Sequence, residues 1–349
     1  MKYVKFGDSG LSVSSLCLGT WHLPVKSEGI YPYEVDSKLS SEIIKKAYDM
    51  GINFFDTANV YNGSIYSQNA GLSEKILGDS LIGYNRESFV VSTKLMGRMG
   101  NFENASGLSR KYVLWQIRES LKRLSMDYTD ILHMHRPDPN TPIEETLSTF
   151  KIIQNNAESL YFGMSYFDPE DVETIMKISD NYDLSMLSLQ DPYNLIEREV
   201  EKYDFAMAKK YGLAIMAYIP IAQGILTDKY TNGVPELSRG SFVSELKKRY
   251  LQNGNINVMK ALNEFAKTKD VKLSQLALAW ILKKADMENI TIIPILGATK
   301  LSHLEENVEA LNINLSNNDM EDLENIAAEF QVNWDSGYKR IKKKKSSER

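Results

Sequence analysis

Phe89-Val90-Val91-Ser92-Thr93-Lys94, then a helical segment at Lys111–Ser125, then Asp130-Ile131-Leu132-His133-Met134-His135-Arg136: these three pieces decide the fold. The outer two are short runs rich in β-branched and aliphatic residues, apolar on both faces. Strands covered on both sides by other structure read that way. Between them, Val113, Ile117, Leu121 and Leu124 fall on one helical face. Strand, amphipathic helix, strand is the unit of a parallel sheet with crossover helices.

The unit repeats outward in both directions. Strand-like runs also occupy Leu16–Trp21, Asn53–Ala58, Leu160–Ser165, Met186–Tyr193, Ala214–Tyr218 and Ile290–Gly297, which makes eight. Helical patterns fit between them, at Leu39–Met50 with Gly51 as the residue after its cap, and at Leu273–Lys284. Pro169 sits where a first-turn proline belongs. Ser302-x-x-Glu305 reads as a capping box that opens a late helix.

Eight alternations predict an α/β fold of the closed (β/α)8, or TIM-barrel, type. An open doubly wound sheet would want a glycine fingerprint after its first strand, and none follows Leu16–Trp21. Tyr3–Phe6 and Leu11–Ser14 read as an N-terminal β-hairpin capping one barrel end. Long connections after strands 2 (Asn62–Leu72) and 7 (roughly 222–256) leave the strand ends where barrel active sites are built. With no repeat and no linker, residues 1–334 read as a single barrel domain and 335–349 as a basic, flexible tail.

The chain has 349 residues, 43% hydrophobic and 25% charged, a soluble globular mix. No apolar run is long enough for a membrane helix, and the N-terminus has no leader-like apolar stretch. A cytoplasmic, membrane-independent protein is expected. One cysteine and four histidines leave little for a metal site, so no metal is expected. The net charge of −5 argues against nucleic acid as a partner. That charge is uneven, because seven Lys/Arg against two acids after residue 334 leave the body near −10. Oligomeric state is invisible at this level.

Four polar residues fall where a barrel gathers chemistry. Asp56 ends Asn53-Phe54-Phe55-Asp56, Tyr61 lies five residues on, Lys94 ends its strand, and His135 ends another. Strands 2, 3 and 4 are neighbours, so the four can converge at one point of the mouth. A buried lysine needs an opposite charge, which Asp56 supplies. An ammonium beside a phenol favours phenolate and brings Tyr61 closer to proton exchange at neutral pH. Such a set suits proton delivery to a carbonyl oxygen while the carbonyl carbon is attacked. His133 lies deeper on the same face and reads as a core residue, and Cys17 as a small buried apolar group.

Phe55-Asp56-Thr57-Ala58-x-x-Tyr61 is followed in order by Ser73-Glu74 with Gly78, Ser92-Thr93-Lys94, His135-Arg136-Pro137-Asp138, Gly163-x-Ser165, Gln190-x-x-Tyr193-Asn194, Ala217-Tyr218-x-Pro220-x-Ala222-x-Gly224, and Ile293-Pro294-x-x-Gly297-Ala298-Thr299-Lys300. Gly19-Thr20-Trp21 precedes them. This ordered series resembles the aldo-keto reductase family over about residues 1–330. The resemblance implies an NAD(P)H-dependent reductase of aldehydes and ketones, an alcohol dehydrogenase or carbonyl reductase in type. Asp56, Tyr61, Lys94 and His135 become its catalytic tetrad, with Tyr61 as general acid. It places Gly19, Thr20 and Trp21 at the cofactor, Ser165 and Gln190 on the nicotinamide carboxamide, and Tyr218 on the ring. Ile219, Ala222, Gly224 and Lys229 would wrap the pyrophosphate. Gly297, Thr299, Lys300, His303, Glu306 and Asn307 would bind the adenosine end, with Arg239 a further phosphate candidate.

Three positions depart from the family pattern. Tyr166 replaces an Asn that contacts the amide, Ile219 replaces a Ser, and His303 stands where Arg or Gln is frequent. Lys300 favours NADP(H) as a point charge for a 2′-phosphate, with NAD(H) kept open. Two other functions compete. One is a non-catalytic NADP(H)-binding regulatory subunit, resembling the family's channel-associated members. The other is a lyase using Lys94 as a Schiff base, which the pairing with Asp56 disfavours.

Overall fold

The computed structural model describes residues 1–26, 34–61, 70–231, 233–236, 239–252 and 254–333. Most of the connection after barrel strand 2, Trp334, the tail 335–349 and the side chain of Arg239 lie outside the described residues.

Two short strands, β1 (Tyr3–Lys5) and β2 (Ser12–Ser14), form an antiparallel hairpin. Eight parallel strands follow: β3 (Cys17–Gly19), β4 (Phe54–Asp56), β5 (Val90–Leu95), β6 (Thr129–Met134), β7 (Ser159–Ser165), β8 (Met186–Pro192), β9 (Ala214–Tyr218) and β10 (Ile292–Leu296). They close into a barrel in sequence order, with β10 pairing both β9 and β3. The expected (β/α)8 architecture with an N-terminal hairpin is the one observed.

Six crossover helices run between the first seven barrel strands: α1 (Ser37–Asp49), α2 (Leu72–Leu81), α3 (Arg110–Leu124), α4 (Ile143–Asn155), α5 (Pro169–Tyr182) and α6 (Glu199–Tyr211). Their ends follow the local chemistry. The Asp36 side chain accepts from Leu39 N–H and caps α1, and Gly51 beyond its end has φ +90°. Ser109 caps α3, and Pro169 starts α5. At Gly163 a Cβ would come within 2.4 Å of His133 and Ser188, so only glycine leaves room for that imidazole inside the barrel.

The connection after β9 is long, as expected, but it is built. It carries α7 (Arg239–Phe242), α8 (Ser244–Tyr250) and α9 (Asn255–Thr268) before α10 (Leu273–Glu288) leads to β10. The Arg249 guanidinium of α8 reaches Glu197, which precedes α6, with N–O distances of 2.8 and 3.0 Å; both residues are fully buried.

After β10 come α11 (Leu301–Val308) and α12 (Asn317–Ala328). The capping box expected at 302–305 is not formed. Lys300 is extended and the helix already starts at Leu301, ahead of the serine that would cap it, while the Glu305 carboxylate pairs with Lys46 of α1 at 3.1 Å.

The hairpin seals the N-terminal end of the barrel. Phe6 and Val13 are buried among Phe54, Val90, Ile131, Leu187, Met216 and Ile293. Phe6 meets Phe54 edge-on with ring centroids 5.4 Å apart. The opposite end, where the strands finish, is left to the polar side chains. Among the described residues, no helix is long and apolar enough to cross a membrane.

Candidate active site

Asp56 is the last residue of β4, and its carboxylate is buried at the centre of a polar cluster. Oδ2 lies 2.6 Å from Lys94 Nζ, which also donates to the Thr57 carbonyl at 2.6 Å. Oδ1 accepts from the Ser92 hydroxyl and, at 3.1 Å, from Gln190 Nε2. Neighbouring and opposite strands thus supply donors to one carboxylate, which is how a buried charge is made tolerable. Burial alone would depress the Lys94 ammonium. The charge of Asp56 and the contacts with Asp56 and Tyr61 outweigh it and hold Lys94 above the usual lysine value. Lys94 is therefore a cation, without the free lone pair that Schiff-base chemistry requires.

Above this pair sit Tyr61 and His135, each partly exposed at the mouth. Lys94 Nζ is 4.7 Å from the centre of the Tyr61 ring. The Tyr61 and His135 rings meet edge-on at 5.6 Å. His135 lies one residue beyond the end of β6, its N–H bonded to Leu95 O at 3.0 Å. Desolvation first, then Lys94 and Arg136, push its imidazole well below the ordinary histidine value, so it is neutral in the working range. The four side chains read from the strand ends share one spot.

His133 lies beneath, fully buried, with Nε2 2.8 Å from Ser188 Oγ. Burial, aided by Lys94, lowers it to about 3. Cys17 is buried in the barrel floor, and desolvation raises its thiol.

The other residues carried over from the resemblance ring this cluster. Thr20 N–H and Oγ1 both bond to the Asp56 carbonyl, at 2.9 and 3.1 Å, placing Gly19-Thr20 against β4. Trp21 is 43% exposed at the mouth beside His22. Ser165 and Gln190 are buried partners in the register of β7 and β8. Tyr218 ends β9, and the chain then turns sharply through left-handed residues: Ile219 (φ +51°), Ala222 (+48°), Gln223 (+58°) and Gly224 (+93°). Such conformations in non-glycine residues cost on the order of 1–3 kcal/mol each and concentrate at functional loops. Successive N–H groups in such turns form concavities that suit anions. Asn194 Nδ2 pins the turn by donating to Ile219 O at 3.1 Å.

At the far end, Thr299 Oγ1 faces His303 Nδ1 at 3.4 Å. Desolvation lowers His303, and Lys300, Lys229 and Lys272 add to the effect. The charges of three ammonium groups thus bear on that imidazole, with Glu306 opposing them. Lys272 is paired with Glu306 at 2.5 Å, but neither Lys229 nor Lys300 has a carboxylate partner among the described residues. The N-terminus of α11 opens beside Lys300. Gly297 is exposed nearby and Asn307 is buried. The mouth thus joins a buried donor shelf, a left-handed N–H turn and a cationic corner, groups whose chemistry suits a polar ring and negatively charged phosphates.

Sequence reasoning missed the Glu197–Arg249 pair, because 52 residues separate its partners and no local spacing connects them. It also left Tyr166 without a role. That residue is buried, its hydroxyl pairs with the Tyr218 hydroxyl, and the Arg136 guanidinium lies 5.0 Å above its ring.

The family model for the aldo/keto reductase family matches residues 15–328. The chain belongs to the aldo/keto reductases. It is 34% identical over 341 residues to the L-glyceraldehyde 3-phosphate reductase of Escherichia coli K12, covering 95% of this chain and 94% of the relative. It is 33% identical over 320 residues to a probable voltage-gated potassium channel subunit beta of Oryza sativa subsp. japonica, covering 90% and 92%. The crystal structure of the thermostable aldo-keto reductase Tm1743 with the inhibitor epalrestat superposes with a TM-score of 0.70 at 26% identity, over 93% of this chain and all of that one. Membership in this family supports an oxidoreductase that acts on small molecules and uses a nicotinamide nucleotide.

Proposed function

We propose that this aldo/keto reductase reduces aldehyde and ketone carbonyls to alcohols with NADPH, and that Tyr61 donates the proton. The observation that carries the reading is the sealed Asp56–Lys94 pair directly beneath Tyr61 and His135. A bound nicotinamide nucleotide supplies the hydride.

The chain's own residues handle the proton. Lys94, kept cationic by Asp56, stabilises negative charge on the Tyr61 oxygen as its proton leaves. His135, being neutral, offers a hydrogen bond to the carbonyl oxygen without bringing a second full charge beside Lys94. Ser165 and Gln190 stand where a carboxamide is held, and Tyr218 where a ring is covered. The turn 219–224 takes the pyrophosphate. Lys229 adds its charge to that turn, and Lys300, at the start of α11 and with no carboxylate partner among the described residues, favours the 2′-phosphate of NADP(H) over NAD(H).

The test is NADPH oxidation followed at 340 nm with a panel of short aldehydes, phosphorylated trioses included because one relative is named for such a substrate. Turnover with any of them supports the proposal. Nucleotide binding without turnover would favour a regulatory subunit of the kind the channel relatives are named for, and no binding of either nucleotide would remove both readings.

A further inference from the structure

We infer that Tyr166 is a positioning residue for the nicotinamide site: through its hydroxyl it fixes Tyr218 in the pose that covers the cofactor ring. The family resemblance implies an Asn here that would contact the cofactor amide directly, and the tyrosine acts through its neighbour instead. The inference rests on the proposed nucleotide-dependent function.

Tyr166 follows Ser165 at the end of β7 and has φ +67°. Asparagine tolerates that left-handed conformation well, and a bulky aromatic residue does not. The bulky side chain is nevertheless buried, with 7% exposure. Interactions on two sides compensate. The Arg136 guanidinium covers the ring at 5.0 Å, and the hydroxyl pairs with the Tyr218 hydroxyl. The two rings are tilted 44° with centroids 5.8 Å apart, so they are joined through their hydroxyl ends and not stacked.

Tyr218 needs such a partner. It is the last residue of β9, partly exposed, and the chain reverses immediately after it through Ile219. Its carbonyl accepts from Tyr193 N–H at 3.2 Å, and the next carbonyl from Asn194. The backbone is thus set from the β8 side, while the ring's rotamer is set from the β7 side by Tyr166. A ring held this way loses little conformational entropy when a ligand stacks on it, which is how pre-organisation raises affinity.

The experiment is a double-mutant cycle on the full-length protein with Tyr166→Phe and Tyr218→Phe, each keeping its ring and dropping its hydroxyl. NADPH affinity is read by nucleotide fluorescence, and kcat and KM for an aldehyde are read separately. Each single variant is expected to weaken NADPH binding by about three- to tenfold, the usual yield of one hydrogen bond. The double variant is expected to bind no more weakly than either single one. Carbonyl KM is expected to move less than nucleotide Kd. Circular dichroism checks folding, and the partly exposed Tyr218→Phe probes the same bond if Tyr166→Phe is poorly folded. Unchanged NADPH affinity in a folded Tyr166→Phe or Tyr218→Phe, or effects that simply add, overturns the inference while the functional reading stands. A wild-type protein that binds no nicotinamide nucleotide overturns both.

Discussion

Lys94 Nζ and Asp56 Oδ2 lie 2.6 Å apart, and the two side chains are shut off from solvent almost completely. Removing one partner leaves the other charge buried without compensation. Asp56→Asn is therefore expected to lower stability by about 3–5 kcal/mol. Urea unfolding, or the fall in Tm, measures this. Turnover should fall with it, since Lys94 would no longer be held charged beneath Tyr61.

Tyr61→Phe separates chemistry from binding. The ring and its edge contact with His135 remain, while the hydroxyl proposed as the proton donor is gone. Turnover is expected to drop by roughly 10²–10⁴-fold. NADPH affinity should stay within about twofold of wild type, since no step of binding needs the hydroxyl. A Tyr61→Phe enzyme with near-normal kcat would assign the proton to another group.

The cationic corner predicts a nucleotide preference. Lys300→Ala is expected to weaken NADPH binding by about ten- to a hundredfold, within the range of a charge-assisted hydrogen bond to phosphate. NADH binding should barely change. Repeating the titration at higher salt should narrow the gap between the two nucleotides.

The two histidines of β6 and its end predict the response to acid. His133 is held at about 3 in the folded chain, against an unfolded value near 6.5. Because the folded value is depressed, its contribution is complete above about pH 6.5. As pH falls below that, the unfolded chain takes up a proton that the folded one refuses, and stability drops by about 1.4 kcal/mol per pH unit. His135 is depressed in the same direction and adds to the decline. Denaturant midpoints from pH 8 to 5 should be flat and then fall, and His133→Gln should reduce the fall. Turnover should show no inflection near 6.5 from His135.

The Glu197–Arg249 pair predicts coupling over distance. Asn194 Oδ1 accepts from Glu197 N–H at 3.0 Å, and its amide nitrogen holds Ile219. Arg249→Met leaves Glu197 as a lone buried carboxylate, with an expected destabilisation of about 3–5 kcal/mol. Nucleotide affinity should fall as well, although Arg249 lies far along the chain from the turn 219–224. A thermal shift with unchanged affinity would confine the pair to stability.

The barrel was readable because its evidence is local. Runs such as Phe89–Lys94 and Asp130–Arg136 carry their own signature, and eight of them leave few alternatives. The convergence of Asp56, Tyr61, Lys94 and His135 was readable for a related reason, since each lies at or just past a strand end and topology does the rest. What failed was judged by short motifs in isolation. Ser302-x-x-Glu305 has the letters of a capping box, but Glu305 finds Lys46 on another helix. What was missed lies in long-range pairs. Nothing near Glu197 announces Arg249, and nothing near Tyr166 announces Tyr218, because those partners meet only after the strands close.

That closure has a cost in time. β3, the first strand of the barrel, completes its pairing only with β10, through Leu18 and Leu296. The plug formed by Phe6 likewise waits for Leu187, Met216 and Ile293, and Thr291 Oγ1 reaches back to Lys5 O at 3.1 Å. The beginning of the chain is thus finished by its end. At ribosomal speeds of about 5–20 residues per second, the first strand waits roughly 15–60 s for its last neighbour. Throughout that interval, the faces later buried in the barrel stand open to other nascent chains. A barrel fastened at both extremities is thus last to close at the strand that is made first.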